Sequence, residues 1–169
     1  MTSPPQAAEP AIRTAEERDL DDVAAIERAV FNDPWSRRSF ADLLDAAQVV
    51  FLVAVSDTAV LGYAVVLVAS PESELANLAV ARLVQGQGLG RRLLRAGIAA
   101  ASERGCRQMF LEVRASNGAA IGLYQSAGFE ALGRRRKYYA RPEEDAVVMR
   151  ANLSLASTGT AGRGVVGGR

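Results

Sequence analysis

Apolar positions along the chain alternate between two spacings. Leu20, Val23, Ala24 and Ile26 recur at helical intervals, and Thr14 with Glu17 has the form of a capping box, so a helix is predicted to end near Val30. Ser36 is placed to cap a second helix with Phe40, Leu43 and Leu44 inward. The pattern then changes to β-branched runs, 49–55 and 60–68, joined by Ser56-Asp57-Thr58-Ala59, which predicts an antiparallel hairpin. A further strand, 74–80, follows the turn at Pro71, and Ala11 to Thr14 is a candidate first strand. Helical spacing returns at Leu89, Leu93, Leu94, Gly97, Ile98 and Ala101, with Gly105 as the stop. The strand 108–114 is then reached by a crossover and is expected to lie parallel to its predecessor. Ser116 or Asn117 caps a short helix to Ala127, Gly128 ends it, and 129–136 with 146–152 form a last antiparallel pair.

The expected architecture is α/β (α+β), a mixed and mostly antiparallel central sheet of about seven strands with about four helices. Residues 10–152 are expected to form one domain, flanked by a disordered lead over 1–9, rich in proline, and a disordered Gly/Ser/Thr-rich tail over 153–169.

Composition narrows the chemistry. A chain of 169 residues with 49% hydrophobic content has enough material for a real core. The net charge of +1 gives no global field for nucleic acid or membrane, so no direct nucleic-acid or membrane partner is expected. Cys106 is alone, which excludes an internal disulfide, and no stretch reaches the roughly 18 consecutive apolar residues of a membrane span. Met1 to Pro10 lacks the charged start and apolar run of a secretory signal, so a cytoplasmic location is expected. Histidine is absent, which removes Ser-His-Asp and Cys-His systems and argues against zinc; no metal is expected. A base working near neutral pH must be a carboxylate, a tyrosine, a backbone carbonyl or an ordered water.

The most informative stretch joins strand 74–80 to the long helix. Gln85-Gly86-Gln87-Gly88-Leu89-Gly90 places glycines where a helix begins, and the unpaired amides of a first helical turn favour an anion. Arg91 and Arg92 stand at the wrong end of the helix dipole unless a polyanion docks beside them. The bland alternative is a simple turn with solvated arginines. A P-loop would need Lys-Ser or Lys-Thr after its last glycine, and none is present. A dinucleotide fingerprint would place its first glycine directly after the strand and a small residue where Arg91 stands, which leaves that reading weak.

Gln-x-x-Gly-x-Gly, as Gln85 to Gly90 have it, resembles the acyl-CoA pyrophosphate loop of the GCN5-related (GNAT) N-acetyltransferases. The segments Leu111-Glu112-Val113-Arg114-Ala115-Ser116-Asn117, Leu123-Tyr124, Gly128-Phe129 and Arg135-Arg136-Lys137-Tyr138-Tyr139 are similar to the RimI-type branch, the ribosomal-protein alanine N-acetyltransferases. The resemblance implies a GNAT fold and an acetyl-CoA-dependent enzyme that acetylates a protein N-terminal alanine, that of small-subunit ribosomal protein 18. It implies direct attack of the amine on the thioester. The alternatives are acetylation of a small amine or lysine side chain, or a non-catalytic acyl-CoA-binding module.

It also implies roles for individual residues. Glu112 interrupts an otherwise apolar strand; by itself it could be a partly solvated carboxylate balanced by an arginine, whereas the resemblance makes it the proton acceptor, directly or through water. Tyr124 could simply pack in the core, while the resemblance assigns it as proton donor to the departing thiolate. Leu78, Ala79 and Val80 would offer backbone to the pantetheine arm, and Gln85, Gly86, Gln87, Gly88, Leu89, Gly90 and Arg91 would hold the pyrophosphate. Asn117 is a helix cap that the resemblance also places against acetyl-CoA. Trp35, Tyr138 and Tyr139 match segments bordering the peptide groove, though each could equally be a rim aromatic sealing the core. The basic run 134–137 could touch an acidic surface or be a solvated strand end.

Overall fold

The computed structural model describes residues 8–57 and 59–153. The expected disorder over 1–7 and 154–169 therefore lies outside the described residues. The strands are β1 (Ala11–Thr14), β2 (Val49–Ser56), β3 (Ala59–Ala69), β4 (Glu72–Val80), β5 (Gln108–Arg114), β6 (Glu130–Ala140) and β7 (Glu143–Asn152). They form a 7-stranded sheet in the order β1-β2-β3-β4-β5-β7-β6. Only β4 and β5 run parallel, joined through a 3-10 turn (Arg82–Val84) and the crossover helix α3 (Leu89–Glu103). The other helices are α1 (Leu20–Val30), α2 (Arg37–Leu44) and α4 (Gly118–Ser126). The predicted mixed sheet and its helices are present, and among the described residues no helix is long and apolar enough to cross a membrane.

Two local expectations need correction. Thr14 does not cap α1, because its backbone is held in β1 opposite Leu52. The box lies two residues on, at the 3-10 turn Glu17–Asp19 ahead of α1: the Asp19 carboxylate accepts the Glu16 N–H at 2.8 Å and is gripped by Arg13 at 2.7 and 2.8 Å, while no side chain caps α1 itself. The last hairpin is also longer than the spacing indicated, since exposed cationic positions in β6 are paired through their backbone and carry no apolar alternation.

Each face of the sheet has its own core. α1 and α2 cover Phe51, Val53, Tyr63 and Val65 with Leu20, Val23, Ile26 and Phe40. α3 and α4 cover Met109, Leu111 and Val113 with Leu94, Ile98, Ala101 and Tyr124. A fully buried side chain of this kind contributes about 1.5–3 kcal/mol, enough together to hold both layers on the sheet. Leu153 is buried as well, its N–H donating to the Arg107 carbonyl at 2.8 Å.

The seam between β4 and β5 decides what this architecture can do. The strands pair only through Glu72–Gln108, Ser73–Met109 and Glu74–Phe110. Immediately beyond, Val66 of β3 faces Leu75 while Val65 faces Asn77, so Ala76 is an extra residue in β4. Such a bulge bends its strand. β4 then follows β3 as far as Gly62–Val80, whereas β5 follows β7 as far as Arg114–Ala146. From Leu75 and from Leu111 onward the two strands are no longer partners, and the sheet opens between them. Gly62 allows the β3–β4 approach on the far side: a Cβ there would stand 2.9 Å from the Ala79 carbonyl oxygen.

Candidate active site

One wall of the opening is backbone. Leu78, Ala79 and Val80 pair with β3 along one edge only, which leaves the edge toward β5 without a strand. The chain then turns back on itself, with the Gln85 side-chain amide donating to the Val80 carbonyl at 3.0 Å. Gly86 and Gly88 have φ of +79° and +85°, a region costly for any residue with a Cβ. No side chain caps α3 at Gly88, and Arg92 N–H, bonded to the Gly88 carbonyl at 3.1 Å, makes the first regular turn. Gln87 ahead of it is exposed, with Leu89 anchored in the core beneath. Gly90 lies 3.6 Å, measured from a built Cβ, from both Leu123 of α4 and Val80. Arg92 is spent on the Pro10 carbonyl at 2.7 Å, so Arg91 is the exposed guanidinium at this helix start. Amides, a helix dipole and one free arginine together suit a phosphate-rich anion.

The other wall is made of side chains. β5 alternates as its sequence indicated: Met109, Leu111 and Val113 are buried under α3 and α4, and Glu112 looks to the opposite face. Its row across the sheet runs Glu112–Val148–Gly133. Arg135, two residues along β6, donates from Nε to Glu112 Oε1 at 3.0 Å. The arginine that would balance a merely structural carboxylate is therefore present. Past Arg135 the β6–β7 register shifts and Lys137 adopts φ +53°, which carries Tyr138 back over the sheet. The Tyr138 phenol is brought near the Glu112 carboxylate, whose influence more than anything else raises its pKa. Tyr139 meets Tyr138 edge-on at 5.1 Å and lies under the Arg114 guanidinium at 4.3 Å. Arg114 reaches Glu144 at 3.5 Å, and Glu144 accepts the Ser116 N–H at 2.6 Å, which fixes the turn into α4. The basic run is largely matched within the chain, Arg134 to Asp145 and Lys137 to Glu143, each at 3.8 Å, in keeping with a solvated strand end.

Tyr124 belongs to the core on the α3/α4 face, the opposite side of the sheet from Glu112. It is 8% exposed on α4, edge-on to Phe129 at 5.9 Å, and burial pushes its phenol up to about 12, with Tyr139 adding to the effect. It therefore carries its proton at neutral pH. Asn117 does cap α4, accepting the Ala120 N–H at 3.1 Å. Trp35, half-buried, packs on Phe40 at 5.5 Å as the outermost ring of the α1/α2 core. The seam thus brings Glu112, Tyr138 and Arg135 together on one face and keeps Tyr124 on the other.

The sequence reading overlooked Glu27, Tyr63 and Asn77, buried polar residues under Trp35. A signal existed for the first of them. Glu27 falls on the same inward stripe of α1 as Leu20, Val23 and Ala24, where a carboxylate has no business without donors.

The family model described as the Acetyltransferase (GNAT) family matches residues 20–129. An Escherichia coli K12 protein named ribosomal protein bS18-alanine N-acetyltransferase is 37% identical over 146 residues, covering 85% of this chain and 98% of its own. The Mycobacterium tuberculosis protein named N-alpha-acetyltransferase RimI is 38% identical over 138 residues, 78% of this chain and 85% of that one. The crystal structure of the ribosomal-protein-S18-alanine N-acetyltransferase from Escherichia coli superposes with a TM-score of 0.79 at 35% identity, over 90% of this chain and 99% of the other. By its fold, its glycine turn at the head of α3 and these likenesses, the chain belongs to the acetyltransferase (GNAT) family.

Proposed function

We propose that this N-acetyltransferase uses acetyl-CoA to acetylate the α-amino group of a protein N-terminal alanine, that of ribosomal protein bS18 in particular, in the cytoplasm. One observation carries the reading: the sheet opens between β4 and β5 past Glu74, at the β4 bulge, with a carboxylate on one face of β5 and a protonated, buried phenol in the core of the other. The relatives named for bS18 alanine supply the acceptor. Residues 10–152 would act as one catalytic domain.

The donor fits the backbone wall. The free edge of Leu78, Ala79 and Val80 suits an amide-bearing pantetheine arm, and the Gln85 to Gly90 turn with Arg91 suits the pyrophosphate. Asn117 has its oxygen committed to the cap, which leaves its amide N–H groups for the ligand. Bound acetyl-CoA supplies the thioester from which the acetyl group passes to the amine. Glu112 takes the amine's proton, directly or through water, while Arg135 and Tyr138 orient the carboxylate. Tyr124 Oη, neutral at working pH, holds the proton for the departing sulfur. Backbone amides near Val80 would meet the charge that develops on the carbonyl oxygen.

Acceptor choice follows from protonation. An α-amino group of pKa about 8 costs about 1.4 kcal/mol to deprotonate at pH 7, against about 4.6 kcal/mol for a lysine of about 10.4. A single carboxylate suffices for the first and is taxed by the second. Thiol release from acetyl-CoA, measured with an Ala-initiated bS18 peptide against an N-terminally blocked lysine peptide and small amines, tests the reading. Turnover confined to the free N-terminus is expected. A preference for lysine or a small amine would move the acceptor, and CoA binding without turnover on any amine would make this an acyl-CoA-binding module.

A further inference from the structure

Glu27 is the one carboxylate in the α1/α2 core that has no cation for a partner among the described residues. It is 2% exposed in the last turn of α1. Three donors from separate elements converge on it. The Trp35 backbone N–H reaches Oε1 at 2.9 Å, the Asn77 side-chain amide reaches Oε2 at 3.0 Å, and the Tyr63 hydroxyl donates to Oε2 as well. Every donor is thereby satisfied by one acceptor-only group, an arrangement too costly to retain in a core unless something is fixed by it.

What it fixes is a distance between two segments. Asn77 follows the bulged Ala76 in β4, three residues past Glu74 of the last β4–β5 pair, and precedes Leu78. Trp35 belongs to the loop between α1 and α2, where no strand or helix constrains the backbone. Neighbouring contacts act in the same direction: Arg82 Nε donates to the Ala29 carbonyl at 2.9 Å, tying the end of α1 to the turn after β4, and Trp35 stacks on Phe40, which meets Tyr63 edge-on at 5.4 Å. The loop is therefore registered on the strand that edges the opening by a carboxylate buried behind both.

We propose that Glu27, with Tyr63 and Asn77, is a positioning residue for the acceptor, holding the Trp35 loop at a set distance from the bent end of β4. The proposal rests on Trp35 bordering the acceptor groove, as in the reading above. Glu27 touches no reacting atom. Its loss should loosen acceptor binding and leave the donor wall alone, since the wall beyond Val80 takes none of its hydrogen bonds.

The test uses the full chain and its own reporter, because Trp35 is the sole tryptophan. Glu27→Ala, Tyr63→Phe and Glu27→Gln are compared by KM for an Ala-initiated peptide, KM for acetyl-CoA, and Trp35 emission. Glu27→Ala should raise the acceptor KM about tenfold or more and shift Trp35 emission to the red, with the acetyl-CoA KM within about twofold. Tyr63→Phe, which keeps the ring packing, should move the same two readouts by a smaller factor and covers the case in which Glu27→Ala fails to fold. Glu27→Gln should restore both, since its oxygen still accepts from Trp35 while Asn77 and Tyr63 can turn to receive its NH₂. Unmoved acceptor KM and emission in folded variants, or both KM values rising together, would overturn the proposal while leaving the acetyltransfer reading intact. Wild-type protein that turns over no amine would instead overturn the acetyltransfer reading and, with it, the acceptor role.

Discussion

The two walls of the opening are built on different principles. The proposed donor wall is a single run of chain, 78–91, whose parts are backbone: a strand edge, amides at a helix start and glycines at positive φ. The proposed acceptor wall draws on side chains of the α1–α2 loop, β5 and β6, held by ion pairs and ring contacts between elements distant in sequence. A backbone site tolerates many side chains but few changes of conformation. A side-chain site has the reverse sensitivity, and the contrast can be tested from the largest expected effect downward.

Glu112→Gln removes the proposed base and leaves the donor wall whole. Turnover should fall by about 10²–10⁴-fold while CoA binding, read by calorimetry, stays the same. A variant that loses CoA binding instead would merge the two walls and break the comparison.

Tyr124→Phe should lower kcat by about 10²-fold with both KM values little changed. It also has a signature in alkali. The folded-state phenol titrates at about 12 against about 10 in an unfolded chain, so its contribution to stability is complete below pH 10 and lost as pH rises through 12. That contribution is on the order of 3 kcal/mol. The Phe variant should consequently lose less stability between pH 10 and pH 12 than the wild type in alkaline denaturation curves.

Gly88→Ala forces a Cβ into a left-handed conformation, at a cost of about 1–2 kcal/mol, although the space around the position is open. Steady-state kinetics should show the acetyl-CoA KM rising by about tenfold with the peptide KM unmoved. The smallest effect is expected at Arg135→Ala. Arg135 is 60% exposed, and ion pairs of that kind are worth about 0–1 kcal/mol, so acceptor turnover should change by no more than about fivefold, and less at high salt.

The same contrast explains how much could be read in advance. The Gln85 to Gly90 turn, the alternation that sends Glu112 to one face and the cap at Asn117 were legible, because each depends on neighbours within a few positions. The capping box at Thr14 misled because β2 claims that residue's backbone. Tyr138 could not be brought to Glu112 in advance, since its placement depends on the β6–β7 register shift past Arg135 and on Lys137 at positive φ, neither of which leaves a local pattern. Glu27 was passed over because a charge on an apolar stripe declares only that donors must exist, not which ones.

By itself, then, the sequence determined the order of the elements, the inward faces of the helices and an anion-suited turn at the start of α3, all consequences of period and local backbone preference. Only the tertiary structure decided that β4 parts from β5 after Glu74, that Glu112 and Tyr124 lie on opposite faces of the sheet, and that Glu27 reaches Trp35 and Asn77 at once. The physical reason is the bulge at Ala76: one extra residue in a strand is invisible as composition, yet it bends the strand and opens the sheet.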